Sequence, residues 1–448
     1  MRHLARFEDW LYVFGRRAVA RPGAVVWLVA LGASLPGVTH LLTDFAYDPD
    51  MCHVAPTFLR MQPSQLPQIF TRPAPWGDGS YRPFVFLAWW LAGRVFGWWA
   101  PGWALICWAM GVVCAALLGL LVLEMSGSPS AAVVASALAG LHQVGAFPFS
   151  SRLASNAALA LVLLSAAYLV LPRWHPRRRS LTLIAAWISL GFTVFCTEWP
   201  DESWVPWYVG GQTAVQGTML HLLLAYLGWQ YARHNRRWRV VAFWLAWALM
   251  AWSYEQPQTL VVAAAPAFLL TVPRRRRLSA VPLVAGAAAL TCCYAAIRLY
   301  FLRLYGPSPY QIMQLRSSSV WLYDMLAYMF PPASLYMTAA AYTGFWGFLF
   351  NRAHWISIGR AVGWLWAYLL PLQKQPLVGA LLWWKLLAYL PLARFHQHSH
   401  YRYLPGLVTT GCHGLLTDFW VEQTAQQARQ VASSSDKRGH FDTARSCR

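Results

Sequence analysis

Charged residues are scarce in this chain, and acidic residues are the scarcest of them. Only 12% of the 448 residues are charged and 58% are hydrophobic, with 16 acidic residues against 36 lysines and arginines. A soluble domain carries roughly twice that charged fraction. The eight cysteines form no CxxC or mixed Cys/His pattern, which excludes the common structural zinc modules. These absences indicate a polytopic membrane protein, and the long apolar runs favour an all-α fold over a closed barrel.

Apolar runs of near-spanning length recur along the chain, and each needs about 20 residues to cross the hydrocarbon as a helix. We predict about 11 transmembrane helices in a single domain, residues 1–420, followed by a polar, disordered tail at 421–448. The predicted spans include 24–43, 102–124, 130–147, 213–232, 240–253, 280–302, 377–392 and 404–420.

The arginines are concentrated in short runs between the apolar segments. The runs are "PRWHPRRR" at 172–179, "RHNRRWR" at 233–239 and "PRRRR" at 273–277, and five more arginines precede residue 24. Under the positive-inside rule these clusters mark cytoplasmic loops and a cytoplasmic N-terminus. Orientation therefore accounts for the net charge of +20, and no nucleic-acid partner is expected.

This topology places residues 44–101 in a first outer loop. Within it, residues 83–98 form a predicted juxtamembrane helix, because Arg94 and several aromatic residues suit an interfacial position. The side on which "HYRYLP" (400–405) lies stays open, because the segment 328–350 can be read as a re-entrant piece or as a full span.

Carboxylates and three arginines collect on the predicted outer side. Asp44 and Asp48 directly follow the first span, where a carboxylate can act as a general base or can simply solvate a helix end. Arg82, Arg152 and Arg402 are outside against the charge rule, which indicates an anionic partner such as phosphate.

Four further residues are candidates for substrate contacts. Tyr81 and Tyr403 flank two of the outer arginines and could stack on a sugar or an isoprenoid. Glu255 lies at the outer end of a predicted span, and His142 opens the polar interruption "HQVGAFPFSSR". Ionisable residues at such positions are candidates for function because they are costly to place in a membrane.

Five short motifs follow one another in an order that resembles the GT-C superfamily of integral-membrane glycosyltransferases. The resemblance is to the protein O-mannosyltransferase-like branch and its tetratricopeptide-linked relatives, whose repeats are not found in this sequence. The motifs are "DFAYDPD", "YRPF", "LHQVGAFPFSSR", "SYEQPQTLVVAAAP" and "LLWWKLLAYLP" followed by "YRYLPGL", and they cover most of residues 1–410.

The resemblance implies transfer of a sugar from a polyprenyl-phosphate carrier to an acceptor hydroxyl, with inversion, at the outer face of a bacterial inner membrane. It implies that Asp48, or else Asp44, is the catalytic base. It also implies contacts with the lipid-linked donor from seven residues: Tyr81, Arg82, His142, Arg152, Glu255, Arg402 and Tyr403.

Several points remain open at this stage. No cofactor is required, although a divalent metal could bind at Asp44 and Asp48. The acceptor could be a protein, a glycolipid or an envelope polymer. The alternative functions are an O-antigen polymerase or ligase and a transporter or flippase for lipid-linked sugars; inverted repeats would favour the transporter.

Overall fold

The structure, a computed structural model, describes residues 21–35, 37–38, 49–72, 81–144, 209–234, 237–253, 272–306, 371–372, 376–389 and 403–446. Across these ranges the chain forms helices and no strand, which confirms the all-α prediction for this part of the protein. The helices are α1 Pro22–Ser34, α2 Pro49–Arg60, α3 Pro67–Thr71, α4 Pro83–Phe96, α5 Ala100–Ser126, α6 Pro129–Val144, α7 Val209–His234, α8 Arg237–Ala251, α9 Arg277–Tyr305, α10 Pro376–Tyr389 and α11 Tyr403–Ser446.

Proline and glycine set many of the helix ends. Six of these helices begin with proline, whose fixed φ suits the first helical position and whose missing N–H costs nothing there. Helix α5 ends at Gly127, which has a φ of 72° in the left-handed region. Glycine adopts that conformation without steric cost. The prolines and glycines of the sequence therefore fix where many of the apolar helices start and stop.

Helices α1, α5 and α6 form a closely packed layer. Trp108 of α5 donates a hydrogen bond to the carbonyl of Ser34 at 2.9 Å, and Ser136 of α6 donates one to the carbonyl of Val26 at 3.1 Å. The start of α1 thus lies against the later part of α5, so α5 is antiparallel to α1 while α6 is parallel to it. Helix α4, between α1 and α5 in the chain, has 14 residues and is about 21 Å long. Its placement along a membrane surface stays a prediction.

The remaining helices follow the same two directions. Helix α7 is parallel to α5, because Cys114 contacts the carbonyl of Val215 at 3.7 Å and Trp229 donates to that of Glu124 at 3.0 Å. Helix α11 is antiparallel to α6, since Gly414 packs on Ala131 near the start of α6. Tyr403 therefore begins α11 at the end of the bundle where α6 finishes; residues 400–402 of "HYRYLP" lie outside the described residues, and the membrane side of this motif stays open.

The bundle has two chemically different ends. At the basic end, defined by Arg233, Arg239 and Arg276, α7 finishes and both α8 and α9 begin; Arg276 donates to the Ala232 carbonyl at 3.3 Å and Arg239 to that of Gln230 at 3.0 Å. At the other end, which we call the loop end, α7 and α11 begin, α8 finishes and α4 starts. The arginine clusters at 233–239 and 273–277 thus lie at the same end of the bundle, as the predicted topology requires of two cytoplasmic loops.

Two helices in the described ranges are long and apolar enough to cross a membrane: Ala100–Ser126 and Ala280–Tyr305. The predicted number of about 11 spans is not confirmed. Helices α1, α6, α8 and α10 have 13 to 16 residues and reach only about 20–24 Å, short of the roughly 30 Å hydrocarbon thickness. Four further predicted spans, 155–172, 181–197, 258–272 and 355–371, lie outside the described residues except for their terminal residues 272 and 371.

The surface of α9 supports association with a membrane. Only 22% of the most apolar 18-residue stretch of α9 is buried, and Leu278 near the start of the helix is 84% exposed. Helix α8 also presents an apolar face, with Val241 and Leu245 exposed. Soluble monomers rarely expose contiguous apolar surface of this extent, whereas a lipid-facing helix must do so.

The polar C-terminal segment differs from its prediction. In place of a disordered tail at 421–448, α11 continues without interruption to Ser446. The segment "VEQTAQQARQVA" consists mostly of residues with good helix propensity, and no glycine or proline interrupts it before Gly439. Low hydrophobicity was therefore a poor guide here, because a helix that has already nucleated in the bundle extends at little cost.

Candidate functional site

The structure describes the predicted site only in part. Tyr81 and Arg82 have described side chains, while His142 and Tyr403 are placed through their helices, α6 and α11. Five predicted residues lie outside the described ranges: Asp44, Asp48, Arg152, Glu255 and Arg402. The described residues nevertheless show which of the predicted motifs are neighbours.

Tyr81 anchors the segment that precedes α4. Its hydroxyl donates a hydrogen bond to the carbonyl of Phe70 at 2.8 Å, and its ring stacks on Phe301 with 4.6 Å between the ring centroids. Burial raises the pKa of the Tyr81 phenol above its usual value of 10.0, so the hydroxyl remains a proton donor at neutral pH. The ring face on Phe301 is not open to a sugar, and Tyr81 holds the loop in place.

The "YRPF" motif packs directly against the end of α8. The backbone N–H of Phe84 donates to the carbonyl of Trp252 at 3.2 Å, and the two side-chain rings lie 6.0 Å apart. Three residues after Trp252 the sequence reaches Glu255. The "YRPF" motif is therefore joined by a main-chain hydrogen bond to the residue just before "SYEQPQTLVVAAAP", although the two are about 170 residues apart in the chain.

Arg82 occupies the N-cap position of α4 and is half-buried. Its carbonyl accepts the hydrogen bond from Phe86 at 3.0 Å that closes the first turn. A helix N-terminus carries a partial positive charge, which adds to that of a guanidinium at the same position. This end of α4 therefore offers an anion the charge of Arg82 and the helix dipole. It does not offer the first two backbone donors, because Pro83 has no N–H and that of Phe84 bonds to the Trp252 carbonyl.

Helix α2, which follows Asp48 in the sequence, packs beside α4. Phe58 lies against Phe86 with 5.9 Å between the ring centroids, and further along both helices the carbonyl of Met61 accepts a hydrogen bond from Trp90 at 3.0 Å. Helices α2 and α4 thus run in the same general direction. The start of α2, which directly follows Asp48 in the sequence, lies toward the start of α4.

A second polar group, which the sequence analysis did not single out, lies deep in the bundle. Trp384 of α10 donates a hydrogen bond to Nε2 of His221 on α7 at 3.1 Å. The next residue, Lys385, is 6% exposed and interacts electrostatically with Cys412 and His413 of α11. The lone lysine within the apolar run "LLWWKLLAYLP" was the signal that could have found this cluster.

The depth of this cluster follows from its position along the helices. His221 stands 12 residues from the start of α7 and 13 from its end. His413 is similarly near the middle of the buried stretch of α11, which runs from Leu404 to Trp420. The polar cluster therefore lies midway between the basic end and the loop end.

Replacing Trp384 with Phe should destabilise the protein by about 1–3 kcal/mol, because it leaves a buried acceptor on His221 without its donor. Apparent thermal unfolding in detergent measures the change. The adjacent Trp383 is 47% exposed, so Trp383→Phe is the matched control and should change stability by less than about 0.5 kcal/mol. Equal losses in the two variants would show that the buried hydrogen bond contributes nothing.

No group of three or more His, Cys, Asp or Glu side chains that could hold a metal ion occurs among the described residues. The predicted metal option at Asp44 and Asp48 lies outside them, so it stays a prediction.

Comparison of the chain with known protein families, with curated proteins and with solved structures gives no match.

Proposed function

We propose that this chain is a membrane glycosyltransferase that moves a sugar from a polyprenyl-phosphate carrier to an acceptor hydroxyl. The observation that carries the proposal is the hydrogen bond from Phe84 to Trp252, which joins the "YRPF" motif to the segment that leads to Glu255. Helix α2, which follows Asp48, starts toward the same side, and Tyr403 begins α11 at this end of the bundle. Described residues next to three of the motifs thus lie at the loop end, which supports the proposal that the motifs form one site.

The proposed chemistry assigns one role to the acid and another to the arginines. Asp48 takes the proton of the acceptor hydroxyl as that oxygen attacks the anomeric carbon in line, and the carrier phosphate leaves from the opposite face. Arg82, with Arg152 and Arg402, stabilises the negative charge that develops on the phosphate. Glu255 and His142 orient the donor.

A lipid carrier also fits the two ends of the bundle. Its isoprenoid tail would remain in the bilayer beside apolar surface such as that of α9, while its phosphosugar enters the loop end. The positive-inside rule then puts the basic end in the cytoplasm and the loop end on the outer face of an inner membrane.

The full chain, reconstituted in vesicles with a panel of polyprenyl-phosphate sugars, tests this proposal. Transfer of labelled sugar to a hydroxyl acceptor is expected from at least one donor. Arg82→Gln should lower the rate by about 10²-fold, because it removes a positive charge at the developing phosphate anion. Arg60→Gln, which removes an exposed arginine at the end of α2, is the matched control. Equal rates for Arg82→Gln and wild type would remove Arg82 from the site, and absence of transfer from every donor would overturn the enzyme proposal.

One observation favours a second candidate, a transporter or flippase for lipid-linked sugars. Lys385, His221 and His413 are buried halfway along the bundle, where polar groups line a translocation path in transporters. An assay with a fluorescent polyprenyl-phosphate lipid and an external quencher distinguishes the two functions. A flippase moves the lipid between leaflets with no acceptor present, whereas a glycosyltransferase does not. Lys385→Met would abolish that movement.

A further inference from the structure

The basic end carries a dense group of arginines on two neighbouring helix starts. The arginine side chains described there are Arg233, Arg239, Arg274, Arg275, Arg276 and Arg277. Glu124 engages Arg233 at 3.4 Å and lies 4.0 Å from His234. Asp418 and Glu422 stand on α11, which packs on α6 and α10 rather than on α8 or α9. The positive charge on the α8–α9 side is therefore largely uncompensated by the acids described.

Several of these arginines are held in place by the backbone. Arg239 and Arg276 donate to carbonyls in the last two turns of α7, and Arg277 donates to that of Val272 at 3.3 Å. Cations are favoured at a helix C-terminus, where backbone carbonyls lack partners within the helix. The group is thus an ordered surface, whereas a signal for orientation alone needs charge and no particular arrangement.

Beyond the arginines, exposed apolar residues continue along both α8 and α9. On α8 they are Trp238, Val241, Leu245 and Leu249, spaced three and four residues apart on one face; on α9 they are Leu278 and Val281. The guanidinium of Arg239 lies over the ring of Trp238 at 5.5 Å from its centroid. A cationic rim directly beside an apolar face matches a molecule that has an anionic head and hydrocarbon tails.

We propose that this surface, formed by the starts of α8 and α9 beside the end of α7, is a binding site for an anionic phospholipid. The lipid phosphate contacts the exposed Arg274 and Arg275, and its acyl chains lie along the apolar stripes of α8 and α9. Trp238 sits at the level of the headgroup, as tryptophan does at membrane interfaces. The proposal rests on membrane association and not on glycosyl transfer.

Native mass spectrometry of the full chain in detergent tests the site, with phosphatidylglycerol and phosphatidylcholine of identical acyl chains as probes. Wild type should bind phosphatidylglycerol at least about 25-fold more tightly than phosphatidylcholine, and the double variant Arg274→Gln/Arg275→Gln should lose about that factor, since each basic residue near an anionic lipid contributes about fivefold. Phosphatidylcholine binding should not change. Arg274→Lys/Arg275→Lys keeps the charge and should keep most of the preference.

The matched control removes the same charge at the opposite end of the bundle. Arg60 and Arg72 are both exposed, and Arg60→Gln/Arg72→Gln should bind phosphatidylglycerol as wild type does. Glycerol phosphate at millimolar concentration should compete poorly, because it lacks the acyl chains. The proposal is overturned if wild type shows no preference, if the two double Gln variants lose affinity equally, or if glycerol phosphate displaces the lipid fully. If the Gln variant at residues 274 and 275 fails to fold, wild type alone decides: its preference should fall as salt rises from low to molar concentration.

Discussion

Asp48→Asn is expected to lower sugar transfer by about 10²- to 10⁴-fold while donor binding changes little. A general base contributes a factor of this size because it removes the acceptor's proton in the transition state, and an amide cannot take that proton. Asn keeps the volume and one oxygen of the side chain, so the loss should appear in the turnover number and not in the Michaelis constant for the donor. Rates in reconstituted vesicles at several donor concentrations separate the two effects.

Two variants in the same outer loop sharpen this experiment. Asp78→Asn makes the same chemical change in "WGDGS", where the neighbouring glycines indicate a turn, and it should leave transfer unchanged. Asp44→Asn tests the other candidate for the base. If Asp44→Asn abolishes transfer while Asp48→Asn does not, the base is Asp44; full activity in both variants removes the proposed mechanism.

Gly414→Ala is expected to destabilise the protein by about 2 kcal/mol or more, near the upper part of the usual range for overpacking. A Cβ atom at this position would overlap the backbone carbonyl oxygen of Ala131 and lie 2.9 Å from the Cβ of Ala135. Neither neighbour is the movable end of a long side chain, so α11 and α6 would have to separate. The apparent unfolding temperature of the purified chain measures the loss.

Gly32→Ala provides the matched control for this effect. Gly32 is also within a helix, but a Cβ there meets no atom within 4 Å. Because alanine has the higher helix propensity, Gly32→Ala should be neutral or stabilising by up to about 1 kcal/mol. If Gly414→Ala behaved like Gly32→Ala, the close approach of α6 and α11 would not contribute to stability.

The helices that were predicted well are those whose apolar runs end at strong local signals. The predicted spans 102–124 and 280–302 correspond to Ala100–Ser126 and Arg277–Tyr305, which end at Gly127 and Gly306. The first span was predicted as 24–43, but α1 finishes at Ser34, two residues before Pro36. Hydropathy alone missed this end, because Pro36 has no N–H to continue the helical pattern; Leu35 before it keeps helical dihedral angles but already bonds to the Gly32 carbonyl in a tighter i→i−3 turn.

The site could be predicted as a set of motifs but not as a set of contacts. The residue types of "YRPF" indicated a polar position next to a helix, and the structure places Arg82 at the N-cap of α4. The role of Tyr81 depends on Phe70 and Phe301, and no local pattern specifies a partner about 220 residues away. Lys385 was visible as a charge within an apolar run, but its neighbours on α7 and α11 appear only in the fold.

The glycines of the bundle also constrain how it could open. A Cβ on Gly140 would lie 2.8 Å from Ala33 of α1, and Gly414 of α11 approaches α6 still more closely, at Ala131. Helices α1, α6 and α11, which pack this closely, should move together as a single rigid block. Any cleft that admits a bulky lipid headgroup must then widen elsewhere, beside α9, which packs less extensively on α7 and α8 than those two helices pack on each other.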